Sequence, residues 1–179
     1  MVIDFFCYEG TDPYGRTFQD MVDMTDGQLE ASHDVIQWLF PLHEPSNFNS
    51  ECPLVDEESA KVLRANPEAQ KRIAEATLRF ARFLGFDWQL GGLDGSPGKF
   101  AFDPLAKKNQ QNWRTQHNHN HLRITRVIRS LRLFGREEEA KQFHEAVLQA
   151  ALNAGCVSSN TTRHWRMALD EDPFETLRK

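Results

Sequence analysis

Three histidines at alternate positions, His117, His119 and His121, stand directly before four arginines set three apart, Arg123, Arg126, Arg129 and Arg132. Neutral imidazole is a good donor to zinc, iron or nickel. Alternate residues of an extended segment share a face, so an extended stretch would offer three ligands on one side. On a helix His117 and His121 share a face at i, i+4 and His119 points elsewhere, which leaves two. No HExxH motif or cysteine cluster supplies the rest. The residues therefore favour histidines at a helix start, with Asn118 or Asn120 bonding exposed backbone N–H groups, and no metal or other cofactor is expected. The arginines point to anions, because guanidinium forks match phosphate and carboxylate oxygens. On a helix each three-residue step drifts by about 60°, so the four fan across one half of it and cannot all grip one small ligand.

The element that must carry these groups is an amphipathic helix. Ile124, Val127, Ile128, Leu131 and Phe134 fall on one broad face opposite the arginines. Leu122 and Leu133 lie on the arginine side, which predicts partial cover on both faces. Gly135 ends this helix and Glu137-Glu138-Glu139 opens the next, where carboxylates favour the positive end of the dipole. Ala140, Phe143, Val147, Ala150, Ala151 and Ala154 then run toward Gly155, and Arg163 to Leu169 fits a final short helix with Trp165 and Met167 inward.

Upstream, residues 1–24 carry turn signals at Asp12-Pro13 and Tyr14-Gly15 and read as an irregular arm that packs its aromatics onto the domain. Thr25-x-x-Gln28 fits a capping box for a helix through Leu29, Ile36, Leu39 and Phe40, stopped by Pro41. Residues 41–53 should run extended over the surface. Asp56 can cap a short helix through Arg64, and Asn66-Pro67-Glu68 starts a helix that Gly85 stops. Residues 87–105, rich in glycine, read as a loop or distorted hairpin around short extended pieces such as Trp88 to Leu90. The fold class is thus mostly all-α: one compact helical domain of about five to seven helices over 25–169, with the N-terminal arm, the glycine-rich loop and a tail over 170–179.

Bulk properties narrow the function. In 179 residues the net charge is −5 and apolar residues make up 40%, enough for one core. Charge is split: residues 104–136 hold eight Lys or Arg and no acid, whereas residues 1–60 hold thirteen acids against Arg16 alone. The arginines can therefore pair internally or present an anion-binding face. Aromatics between them are scarce, which argues against a nucleic-acid platform. The longest apolar run, LRFARFLGF, is broken by Arg79 and Arg82 and is too short to span a bilayer. The N-terminus lacks a basic leader, so a cytoplasmic location is expected. Cys7, Cys52 and Cys156 are far apart and read as reduced and structural. Neither a cysteine nucleophile nor a dyad among Asp170, Glu171 and Asp172 stands in a recognisable motif, and the glycines match neither GxGxxG nor GxxxxGK[ST].

Two segments, HDVIQWLFPLHEPSNFN over 33–49 and HNHNHLRITRVIRSLRLFG over 117–135, resemble the N-terminal domain of the opioid growth factor receptor family. The shared pattern runs through Ile36 to Pro41, Pro45-Ser46, Pro53-Leu54, Trp113-Arg114, His117 to Asn120 and Leu122 to Arg126. The resemblance implies an all-helical domain, binding of a short opioid peptide in the vertebrate member, growth inhibition and peripheral association with membranes. These residues carry no long C-terminal extension, so a stand-alone member of bacterial or primitive-eukaryotic type is expected.

The resulting expectation is a non-enzymatic domain that binds a peptide or a small anionic ligand. Its cleft would lie between the QWLFP end of the first helix and the start of the basic helix, at Trp38, His117, His119, Asn120, Arg123 and Arg126. An aromatic wall beside cationic donors could hold the ring and carboxylate of a short peptide. The alternatives are a metal-dependent enzyme or metal-binding protein built on the HxHxH segment, and nucleic-acid binding by the arginine fan.

Overall fold

The computed structural model describes residues 1–46, 51–89, 99–103 and 106–175. The fold is mostly all-α. These residues form α1 (Val2–Cys7), α2 (Phe18–Val22), α3 (Asp26–Ala31), α4 (Val35–Leu39), α5 (Glu57–Ala65), α6 (Pro67–Phe83), β1 (Phe86–Gln89), β2 (Lys99–Phe102), α7 (Lys107–Gln111), α8 (Asn120–Leu133), α9 (Glu137–Ala154) and α10 (Ser159–Asp170). The strands pair antiparallel, Phe86 with Phe102 and Gln89 with Lys99. The hairpin reading holds for these pieces, while the glycines at 91–98 lie outside the described residues.

Ten helices are described where sequence periodicity leads to five to seven, and the surplus is in short ones. α1, α2, α3, α4 and α7 have five or six residues each. Helices this short are unstable alone and persist only by burying a face. Two of them replace the irregular arm expected over 1–24. The turn signals there are real, since the Asp12 carboxylate accepts from the backbone N–H of Tyr14 at 2.9 Å and of Arg16 at 2.8 Å. On either side of that turn Phe5, Phe6, Phe18 and Met21 are buried in the same core as the long helices, and their burial stabilises one or two helical turns around each.

The capping box at Thr25 and Gln28 is present, yet the helix it opens ends at Ala31. Ser32 is extended, and α4 restarts after Asp34. Ser, His and Asp are indifferent helix formers whose side chains find other bonds. Here the Asp34 carboxylate accepts from the Arg16 guanidinium. The Asp56 and Asn66 caps form as the sequence predicts, Asn66 accepting from the Ala69 N–H at 3.0 Å. α10 begins at Ser159, earlier than expected, because the Ser158 hydroxyl caps the Thr161 N–H.

At the centre lies α8. Ile124, Val127, Ile128, Leu131 and Phe134 are buried, and Leu133 on the opposite side is buried too, whereas Leu122 is exposed. The helix is therefore covered on both faces except near its start. Its end is a Schellman turn: Gly135 has φ +74, its N–H donates to the Arg132 carbonyl and the Arg136 N–H to that of Leu131, both at 2.9 Å. A run of buried hydrogen bonds ties α8 to its neighbours. Trp113 Nε1 donates to the Leu84 carbonyl at 2.9 Å, His121 Nε2 to Trp113 at 2.8 Å, and Trp165 Nε1 to His121 at 3.0 Å.

Gly85, with φ +88, turns the chain from α6 into β1, and a Cβ added there would meet Gln110 Cγ at 2.6 Å and the Ala106 carbonyl oxygen at 3.2 Å. Gly85→Ala should cost about 2 kcal/mol in urea unfolding, from the left-handed backbone and the overlap together. An unchanged midpoint would contradict this packing.

Candidate functional site

The histidine segment meets α8 as a helix start, and its three imidazoles part company. Asn118 Oδ1 accepts from the Asn120 N–H at 2.9 Å, the backbone role expected of an asparagine here. His121 is buried against Trp165, and burial pushes its pKa below the usual histidine value. His117 is exposed. His119 is exposed as well and lies with Nε2 3.0 Å from Glu30 Oε1. Among the described residues no group of three or more His, Cys, Asp or Glu comes together as a metal-ligand set.

His119, Asn120 and Arg123 converge on the end of α3. Glu30 Oε2 accepts from Asn120 Nδ2 at 3.2 Å and lies 3.8 Å from Arg123 Nη1. Arg123 also donates to Asn120 Oδ1 at 3.1 Å and to the carbonyls of Glu30 and Ser32 at 3.3 and 3.4 Å. Its side chain is 6% exposed, and burial lowers its pKa despite the neighbouring carboxylate. His33 borders the same cluster, its ring centroid 5.6 Å from that of His119.

The other three arginines also turn inward. Arg129 pairs with Glu44 and donates to the Glu175 carbonyl at 2.7 Å. Arg132 pairs with Glu137 at 2.9 Å and donates to the carbonyls of Ala168, at 3.0 Å, and Glu171. Arg126 has no carboxylate partner among the described residues. It donates to the Phe40 carbonyl at 3.0 Å, and desolvation pushes its pKa down to about 10. Internal pairing with the opening segment, one of the two sequence readings, is thus found for Arg123 and Arg129.

Trp38 belongs chiefly to the core. It is 2% exposed and packs edge-on against Phe5 with centroids 5.0 Å apart. Its rim nevertheless reaches a hollow of about 260 Å³ lined by Pro13, Tyr14, His33, Asp34, Gln37 and Glu51 as well. Gln37 is 7% exposed; its Nε2 donates to Ser46 Oγ at 2.9 Å and its Oε1 has no hydrogen-bond partner. A buried amide oxygen left this way costs about 1–3 kcal/mol, which a ligand donor would recover. Of the six expected ligand residues, Trp38 faces the hollow, and His119, Asn120 and Arg123 stand behind it through His33. Arg126 is bonded at the end of α4, and His117 lies on the exposed loop before α8.

Sequence reasoning missed Glu30, His33, Asp34 and Gln37. His33 opens the motif HDVIQWLFP and Gln37 interrupts its apolar run, so the signal was a polar residue inside an otherwise apolar stretch. Cys156 is exposed and its Sγ donates to the Arg114 carbonyl at 2.8 Å, so of the three cysteines only Cys52 is fully buried.

A model of the conserved region of the opioid growth factor receptor matches residues 9–170. The chain is 36% identical over 129 residues to the opioid growth factor receptor of Homo sapiens, covering 70% of this chain and 18% of that protein. It is 34% identical over 110 residues to the receptor of Rattus norvegicus, covering 61% and 18%. It is 27% identical over 148 residues to opioid growth factor receptor-like protein 1 of Xenopus tropicalis, covering 81% and 28%. The chain therefore spans less than a third of these relatives' length. No solved structure matches it. Among the described residues no helix is long and apolar enough to cross a membrane.

Burial holds the pKa values of His43, His121 and His144 below the ordinary 6.5. The unfolded chain therefore binds protons at these sites more readily than the fold. Their stabilising contribution is present above 6.5 and is lost as pH falls below it. Urea unfolding at about pH 7.5 and about pH 5.5 should show lower stability at the acid value, and His121→Gln should flatten part of that slope. Equal stability at both values would contradict the buried neutral imidazoles.

Proposed function

This chain belongs to the opioid growth factor receptor family, and on that premise we propose that it is a non-enzymatic recognition domain for short peptides, bound at the hollow beside Trp38. The observation that carries the reading is Gln37, a buried amide lining that hollow with its Oε1 unpartnered. A volume of about 260 Å³ suits one residue of a peptide rather than a whole drug-sized ligand. Tyr14 is 76% exposed at the mouth and supplies an aromatic edge at little conformational cost. His119, Asn120 and Arg123 brace His33 from behind.

Because the chain spans less than a third of the relatives it matches, a receptor role is assigned to this domain as a proposal alone. Unbonded cysteines, one of them exposed, support a reducing compartment such as the cytoplasm. A small anionic ligand is the second reading. It rests on Arg126, whose guanidinium donates to one carbonyl among the described residues. Nucleic-acid binding loses support because Arg123 and Arg129 are buried, and a metal enzyme because the histidines diverge.

The test is a titration of the ¹⁵N-labelled full chain with a set of short peptides. Saturable shifts should centre on His33, Gln37 and the Trp38 indole, and Tyr14→Ala should weaken binding by about fivefold or more. Saturable shifts centred elsewhere, or none with any peptide, would contradict the reading.

A further inference from the structure

Charge at the hollow has the opposite sign from that of the basic helix behind it. The residues that line it bring two carboxylates, Asp34 and Glu51, and no lysine or arginine. Arg16, next to it, is shared between Asp34 and the buried Asp12, with its Nε 2.7 Å from Asp12 Oδ2. Gln37 adds a buried polar group whose Oε1 has no partner. Ser46 Oγ can serve either end of that amide, so Asp34, which with Asp12 outnumbers their shared Arg16, sets the sign of the ligand. It selects a donor that carries positive charge.

The aromatic wall agrees. Electron-rich ring faces attract cations, and the Arg16 guanidinium already lies 5.3 Å from the Tyr14 centroid. An ammonium group entering here would meet carboxylate, amide oxygen and ring together. Three arginines of α8 do not oppose it, since Arg123 is matched by Glu30, Arg129 by Glu44 and Arg132 by Glu137, and Arg126 is held at the Phe40 carbonyl.

We infer that the hollow beside Trp38 is a cation subsite, which takes the ammonium group of a peptide, N-terminal or lysine, between Asp34, Gln37 and the ring of Tyr14. This rests on reading the hollow as the peptide site and adds the chemistry of what enters it. It runs against the sequence expectation of a carboxylate held by arginine.

Three phenylalanine-containing tripeptide amides serve as probes for the full chain: one with a free α-amine, one N-acetylated, and one N-acetylated but carrying a lysine. The free-amine probe should move the Gln37 side-chain and Trp38 indole resonances saturably. The acetylated probe without lysine should bind at least about tenfold more weakly, as expected for loss of a charge-assisted hydrogen bond. Binding by the lysine probe would identify a side chain as the source of the ammonium; its absence would identify the chain terminus. Asp34→Asn should weaken the amine probe by a similar factor. Because Asp34 also holds Arg16, Glu51→Gln is the second variant, with thermal melting to show that each is folded. Equal affinity for free and blocked probes at the hollow would overturn the cation subsite and leave the peptide site standing. No movement of these resonances with any probe would overturn both.

Discussion

The fold depends on guanidinium groups that finish the open ends of short helices. The last carbonyls of a helix have no partner within it, and in a chain with this many helical segments such ends are numerous. Arg123 donates to the carbonyls of Glu30 and Ser32 at the end of α3, Arg126 to Phe40 at the end of α4, and Arg132 to Ala168 and Glu171 at the end of α10. α8 is itself finished by Arg64, which donates to the Leu133 carbonyl at 2.9 Å, and by Gln70, which donates to that of Phe134 at 3.0 Å. Cations also suit the negative end of a helix dipole. One polar face thus serves as the C-terminal cap of three other helices, and its fan of arginines, too wide for one ligand, has the breadth to reach all three.

That arrangement decides where recognition chemistry can sit. A guanidinium fixed to several carbonyls, as those of Arg123 and Arg132 are, is no longer an open anion site, although it remains charged. The N-terminal segment it holds in place presents acids, aromatic rims and a buried amide. In the proposed reading the basic helix positions the site and the acidic segment forms it, which follows from burial rather than from net charge.

Much of this was legible in the sequence. The caps at Thr25, Asp56 and Asn66 and the stops at Gly85, Gly135 and Gly155 could be read because each is a local device complete within a few residues. The core face of α8 was legible from its 3.6 periodicity. The break between α3 and α4 was not, because Leu29 and Ile36 keep a helical spacing across Ser32, His33 and Asp34. The cluster at Glu30 was not either: its partners Asn120 and Arg123 lie some 90 positions downstream. Nor does a count of charges register backbone carbonyls, which accept most of the hydrogen bonds of Arg123, Arg126 and Arg132.

Arg126 isolates the central claim, because it reaches the end of α4 through the Phe40 carbonyl and makes no ion pair among the described residues, Glu44 acting on it only at longer range. The direct measurement is native-state hydrogen exchange of the full chain and of Arg126→Met. Exchange of the amides of residues 35–40 should rise by about tenfold or more while α9 keeps its protection, as expected when a charged donor to a helix end is removed. Unchanged exchange over 35–40, or an equal rise throughout the chain, would contradict the account.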